Sequence, residues 1–162
     1  MNIKFFDGSM GTMLQSAGLK AGELPELLNI SSPETVLAVH RGYAEAGSEY
    51  ITTNTFGANS LKFDNYAELI KTGVKLAKSV GKKVLLDIGP TGKLLKPMGD
   101  LDFDDAIEIF AQMIRAGKDG ADAVLIETMS DTYEIKAAVL AAKENCDLPI
   151  YVTMIFDEKG RL

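Results

Sequence analysis

Phe5-Phe6-Asp7-Gly8-Ser9-Met10-Gly11-Thr12-Met13-Leu14 carries three structural signals in ten residues. Ile3 to Phe6 reads as a buried strand, Asp7 to Gly11 as a glycine-punctuated loop, and Thr12 to Ala17 as a short helix. A strand that turns through glycines into a helix is the opening half of a βα unit. In parallel α/β folds, polar residues at the carboxyl ends of strands face the ligand, which puts Asp7 at a candidate site. Gly8 and Gly11 let backbone approach a ligand closely, so this turn can hold a carboxylate while Asp7 takes an ammonium.

The same unit repeats outward along the chain. Ser32-Pro33-Glu34 starts a helix, with serine at the cap, proline at the first helical position and an early carboxylate. Val36, Leu37, His40, Tyr43 and Ala44 recur on one face of it, and Gly47 ends it. Tyr50 to Thr53 is the second strand, followed by a helix from about Ser60 to Val80 and a third strand from Lys83 to Asp87. Two prolines and three glycines make Gly89 to Gly99 a loop. Asp102 is expected to cap a helix bearing Ile107, Phe110, Met113 and Ile114. Ala123 to Ile126 is the fourth strand, Asp131 opens a helix ending near Asn145, and Pro149 to Ile155 is the fifth strand.

Five strands with intervening helices imply a parallel sheet with right-handed crossovers. An open doubly wound sheet and part of a (β/α)8 barrel both satisfy that pattern. A whole barrel needs at least about 200 residues, and this chain has 162, so periodicity alone favours the open sheet or a partial barrel. Composition is that of a globular domain, 46% apolar and 25% charged. The net charge of −6 repels phosphate backbones and argues against nucleic-acid binding. No apolar stretch approaches the roughly 20 residues that span a bilayer, and no basic segment followed by an apolar core marks a secretory leader. A single cysteine cannot form an internal disulfide, and the simplest expectation is a reducing cytoplasm.

Asp7, Asn54, Thr55, Asp87 and Glu127 all stand at strand ends. Each could be only a cap or loop anchor, but four consecutive strands repeating the arrangement point to one site. Its carboxylates, hydroxyls and amide suit a ligand with an ammonium group and polar neighbours. Glu127 ends the apolar run Ala123-Val124-Leu125-Ile126, so it needs a partner or a wet cavity. Gly89-Pro90-Thr91-Gly92-Lys93-Leu94 is not a phosphate loop: Asp87 stands where the first glycine is required and Leu94 where serine or threonine is. Cys146 falls between a helix end and the fifth strand, on the face opposite the site, and reads as a packing residue; His40 sits inside an amphipathic helix and reads as a packed or surface residue rather than a catalytic one.

Asp7-Gly8-x-Met10-Gly11-Thr12, Asn54-Thr55-Phe56-Gly57, Asp87-Ile88-Gly89-Pro90-Thr91-Gly92 and Ile126-Glu127-Thr128, in that order, resemble the homocysteine S-methyltransferase family. The likeness is greatest to the homocysteine-binding module of cobalamin-dependent methionine synthase. It tips the fold to a partial (β/α)8 TIM barrel of about five parallel strands, with residues 1–162 as one truncated homocysteine-binding barrel domain. It implies homocysteine as ligand, with Asp7, Gly8, Thr12, Asn54, Thr55, Asp87 and Glu127 as binding residues and Glu127 joining Asp7 at the amino group.

The family activates its thiol on zinc held by three cysteines in later strands, and those ligands are missing here. The Gly89–Leu94 loop looks closer to cobalamin-dependent relatives, which implies methylcobalamin carried by a partner domain. The segment from Lys62 to Lys75 looks shorter than the family's second helical segment. Three readings follow: the homocysteine-binding portion of a methyltransferase, inactive alone; a non-catalytic binding or assembly module that pairs with a complementary half barrel; and an unrelated α/β enzyme using Asp7 and Glu127 as acid and base. A partial barrel exposes strand edges and inner apolar faces, so a complementary half barrel, a corrinoid domain or self-association is the expected partnership.

Overall fold

The computed structural model describes residues 3–162. A short helix α1 (Met10–Ser16), a 3-10 turn at Pro25–Leu27, α2 (Leu28–Ser31) and α3 (Pro33–Glu45) precede the first strand, β1 (Tyr50–Thr52). Then α4 (Tyr66–Lys78), β2 (Lys83–Ile88), α5 (Phe103–Gly117), β3 (Ala123–Met129), α6 (Thr132–Asn145) and β4 (Ile150–Met154) alternate. All four strands are parallel, in the order β1-β2-β3-β4, with Tyr50 opposite Lys83, Leu85 opposite Ala123 and Ile126 opposite Val152. Sequential neighbours joined by helices have no point at which strand order reverses, and a doubly wound sheet requires one. The sheet is a sector of a singly wound barrel.

The crossover helices pack on one face of that sector. Leu86, Ile88, Val124 and Ile126 form one core with Ile70 of α4, Phe110 and Ile114 of α5, and Ala138 and Ala141 of α6. The other face holds a smaller cluster of Leu85, Ala123 and Leu125, with Tyr50 against it. Gly117 permits close helix–sheet packing, because a Cβ there would lie 2.4 Å from Leu86 Cδ1.

Three expectations change. The strand from Ile3 to Phe6 is reduced to a single parallel bridge between Phe6 and Tyr50, supported by the Asp7 amide on Tyr50 O (3.1 Å) and the Glu49 amide on Phe5 O (2.9 Å). Among the described residues no strand lies on its far side, so Ile3 and Phe5 are 60% and 63% exposed rather than buried. The helix expected from Ser60 begins at Tyr66, because residues 59–65 form turns: Asn59 Oδ1 accepts from the Leu61 amide and Asn59 O from Phe63. Asp102 occupies the N-cap position of α5, but its carboxylate takes Lys96 Nζ at 2.8 Å instead of a helix amide. Asp131 does cap α6, accepting from the Tyr133 amide at 2.7 Å. No helix of the described residues is long and apolar enough to cross a membrane.

Candidate functional site

The carboxyl ends of the strands surround a cavity of about 710 Å³. Asp7, Gly8, Asn54, Asp87 and Glu127 line it; Thr12 and Thr55 do not. Asp7 is fixed from below by β1, whose Thr52 donates its amide to Oδ2 (2.8 Å) and its hydroxyl to Oδ1 (2.6 Å). Burial raises the Asp7 carboxyl above its ordinary value, and the two Thr52 bonds oppose that rise. Glu127 sits late in β3; burial raises its carboxyl, and the negative charge of Asp7 raises it further.

Asp87 at the end of β2 is buried, with its amide on Thr53 Oγ1 (3.0 Å) and its carbonyl accepting from Thr55 Oγ1 (2.8 Å). Burial pushes its carboxyl well above the ordinary value, and the charges of Glu127, Asp7 and Glu26 add to the effect. These influences put the acids that follow the Phe6 bridge, end β2 and lie late in β3 into one field.

The remaining expected residues turn to structural work. Asn54 reaches the cavity wall, but its Nδ2 donates to Pro25 O (2.8 Å) and Asn29 Oδ1 (3.0 Å), while its carbonyl accepts from Asn29 Nδ2 (2.8 Å). Thr55 is fully buried beneath it and shares its hydroxyl with Thr53. Thr12 caps α1 with Ser9: the Thr12 amide donates to Ser9 Oγ, and the Ser9 hydroxyl donates to Thr12 Oγ1. Gly8 is needed where it stands, since a Cβ there would meet Tyr43 OH at 2.9 Å while that hydroxyl donates to Ser9 O. Thr91, in the loop after β2, is tied to Glu134 of α6 through its amide (2.8 Å) and hydroxyl (2.6 Å).

Glu26, Lys62, Thr128 and Thr153 also line the cavity and were not singled out from the sequence. Glu26 is buried, and its Oε1 accepts from the Gly57 amide at 2.7 Å. A glutamate inside Leu24-Pro25-Glu26-Leu27-Leu28 was the available clue, because a charge within an apolar run needs a partner. Lys62 is the one cation among the described residues lining the cavity. Thr128 has φ 60°, a left-handed conformation unusual for threonine, at an irregularity in the β3–β4 pairing. Its amide donates to Thr153 Oγ1 at 3.1 Å.

The donor set does not fit a thiolate-rich metal centre. Cys146 follows α6 at the end of the sheet opposite the cavity, where its Sγ donates to Ala142 O at 3.3 Å. His40 is enclosed within the α3 layer. Among the described residues no three His, Cys, Asp or Glu side chains are placed to hold a metal together.

Residues 4–162 match a sequence model of the homocysteine S-methyltransferase family. The chain is 30% identical to methionine synthase of Mycobacterium leprae (strain TN), over 96% of this chain and 15% of that protein. It is 32% identical to methionine synthase of Mycobacterium tuberculosis (strain ATCC 25618 / H37Rv), over 85% of this chain and 13% of that protein. The chain therefore spans about a seventh of the length of these curated relatives. The metallated form of the homocysteine methyltransferase MmuM from Escherichia coli superposes with a TM-score of 0.86 over all of this chain and 66% of the other, at 19% identity. The apo form of the same enzyme gives 0.75 over 63% of its length. At such identity the structural likeness speaks for the fold alone: a TIM barrel, matched in part.

Proposed function

The chain belongs to the homocysteine S-methyltransferase family, and on that premise we propose that its cavity is the amino-acid end of a homocysteine site in a methyltransferase of the methionine synthase type. The observation that carries this reading is the convergence of Asp7 and Glu127 on one cavity from separate elements. Both carboxyls are held partly out of water, and the charge of Asp7 adds to the cost of ionising Glu127. An ammonium between them relieves that cost and donates two charge-assisted hydrogen bonds, one to each carboxylate. Thr52 keeps the Asp7 carboxylate pointed into the cavity, and the Gly8 backbone narrows the wall beside it.

In this reading the chain binds and orients the substrate but does not activate its thiol. Zinc ligands and the methyl donor come from outside these residues; the Gly89–Leu94 loop's likeness to cobalamin-dependent relatives favours methylcobalamin on a corrinoid domain. Phe5, Phe6, Tyr151, Val152, Ile155 and Phe156 are the exposed apolar residues of the first bridge, β4 and the segment after it. We place the remaining strands of the barrel there, because covering those residues and pairing the free β4 edge satisfies both the hydrophobic and the hydrogen-bonding demand.

Calorimetric titration of homocysteine into the chain tests the reading. Asp7→Asn and Glu127→Gln are each expected to weaken binding about tenfold or more, since a hydrogen bond to a charged group contributes roughly 1.5–3 kcal/mol. Unchanged affinity in the double variant rejects the site.

A further inference from the structure

We propose that Asp87 sets the cavity's preference for cationic head groups: it holds a proton in the ligand-free protein and releases it when an amine enters between Asp7 and Glu127. The proposal rests on the homocysteine reading for the identity of the amine.

Asp87 is only 5% exposed, and its Oδ1 has no hydrogen-bond partner although the residue lines the cavity. Its backbone is fixed at the cavity wall, with its amide and carbonyl bonded to the Thr53 and Thr55 hydroxyls on the neighbouring segment. The groups facing it from every side are acids or hydroxyls: Asp7 beside β1, Glu26 from the 3-10 turn, Glu127 from β3, and Thr53. Lys62, on the loop after β1, lies toward Gly57 and Gly92 instead, with its Nζ 3.0 Å from where a Gly57 Cβ would sit. A buried carboxylate without cation or donor is far costlier than the neutral acid, so the site stores a proton.

That proton has a use. A third ionised acid in the empty cavity would add to the negative field of Asp7 and Glu127. With Asp87 neutral, the empty cavity presents fewer negative charges. When the ammonium cancels the field of Asp7 and Glu127, the Asp87 carboxyl ionises and the proton passes to solvent; no bond to the ligand forms or breaks. Amine ligands are then bound more tightly as pH rises, by up to about tenfold per pH unit for one proton released. A ligand without the amine leaves Asp87 protonated.

Infrared spectroscopy of the ligand-free chain at neutral pH reads the stored proton directly. The expected result is a protonated-carboxyl stretch that vanishes in Asp87→Asn; a spectrum from which that substitution removes no such band overturns the proposal. Glu127→Gln, which keeps Asp87 in place, should move the band's pH midpoint downward, and an unmoved midpoint defeats the field argument. Homocysteine is then titrated in buffers of unequal ionisation heat, with 4-mercaptobutanoate as the deaminated probe. Release of about one proton with homocysteine, none with the probe, and loss of release in Asp87→Asn support the coupling. Homocysteine binding with buffer-independent heat overturns the coupling and leaves the homocysteine reading standing. An intact infrared band with no homocysteine binding rejects that reading, and the amine coupling with it.

Discussion

Leu125 and Ile126 are adjacent on β3 and point to opposite faces of the sheet. Ile126 enters the large core shared with α4, α5 and α6, whereas Leu125 belongs to a three-residue cluster beside the cavity. Both are nearly or fully buried, at 4% and 0% exposure, so burial alone does not distinguish them. Their neighbours do. The helix-covered face is continuous apolar packing, while the other face mixes Leu85, Ala123 and Leu125 with Asp87 and Glu127. The fold is held on one side of a single layer and the site is displayed on the other. Substitutions at the cavity can therefore change binding without dissolving the protein.

The largest expected effect tests that division. Ile126→Ala should cost about 2–5 kcal/mol, because the core around it can collapse only partly onto the void. Leu125→Ala should cost no more than about half as much, since its void opens to a cavity that water can enter. Chemical denaturation of both variants, compared at constant slope, measures the difference. Equal costs would mean that the cavity face contributes packing on the same footing as the helix face.

The two sides should also respond to acid in opposite directions. His40 is fully buried in α3, neither ring nitrogen has a hydrogen-bond partner, and burial lowers it to about 4 from 6.5. The unfolded chain protonates this group first, so its contribution is complete above pH 6.5 and is lost as pH falls toward 4. The interval corresponds to a loss of about 3 kcal/mol. Asp87 has its carboxyl raised by burial, so its ionisation lowers stability as pH rises through the raised value. His40→Leu should flatten the acid limb of a stability–pH profile measured by denaturant midpoint. A limb of unchanged steepness would place the acid sensitivity elsewhere.

These contrasts also explain what was readable from the chain. Lys83–Asp87 and Ala123–Ile126 are apolar runs whose strand character survives any neighbour, and both form strands close to the expected limits. Ile3–Phe6 is just as apolar, yet whether it pairs and is covered depends on a strand that would lie beyond it. No local pattern carries that information. At the site, Asp7, Asp87 and Glu127 were legible because strand ends point one way in every βα unit. Thr12 and Thr55 do not line the cavity, because short hydroxyl side chains find backbone or hydroxyl partners within a turn or one strand away. Glu26 and Lys62 reach the cavity from irregular segments, where no period fixes direction.

The smallest predicted effect concerns two aspartates that look alike in sequence. Asp102 and Asp131 each stand immediately before a helix, α5 and α6, which follow the two central strands. Asp131 accepts from the Tyr133 amide, satisfying one of the four amides left unpaired at a helix start. Its replacement by alanine should cost about 1 kcal/mol. Asp102 is instead paired with Lys96, both side chains being more than half exposed at 57% and 55%. A pair so open to water contributes about 0–1 kcal/mol, and Asp104 and Asp105 in the first turn of α5 still favour its positive end. Asp102→Ala should therefore cost about half as much as Asp131→Ala or less, and adding salt should shrink its effect further. Equal losses, insensitive to salt, would show that the Asp102 carboxylate leaves Lys96 in solution and turns to the helix amides, the cap its position before α5 suggests.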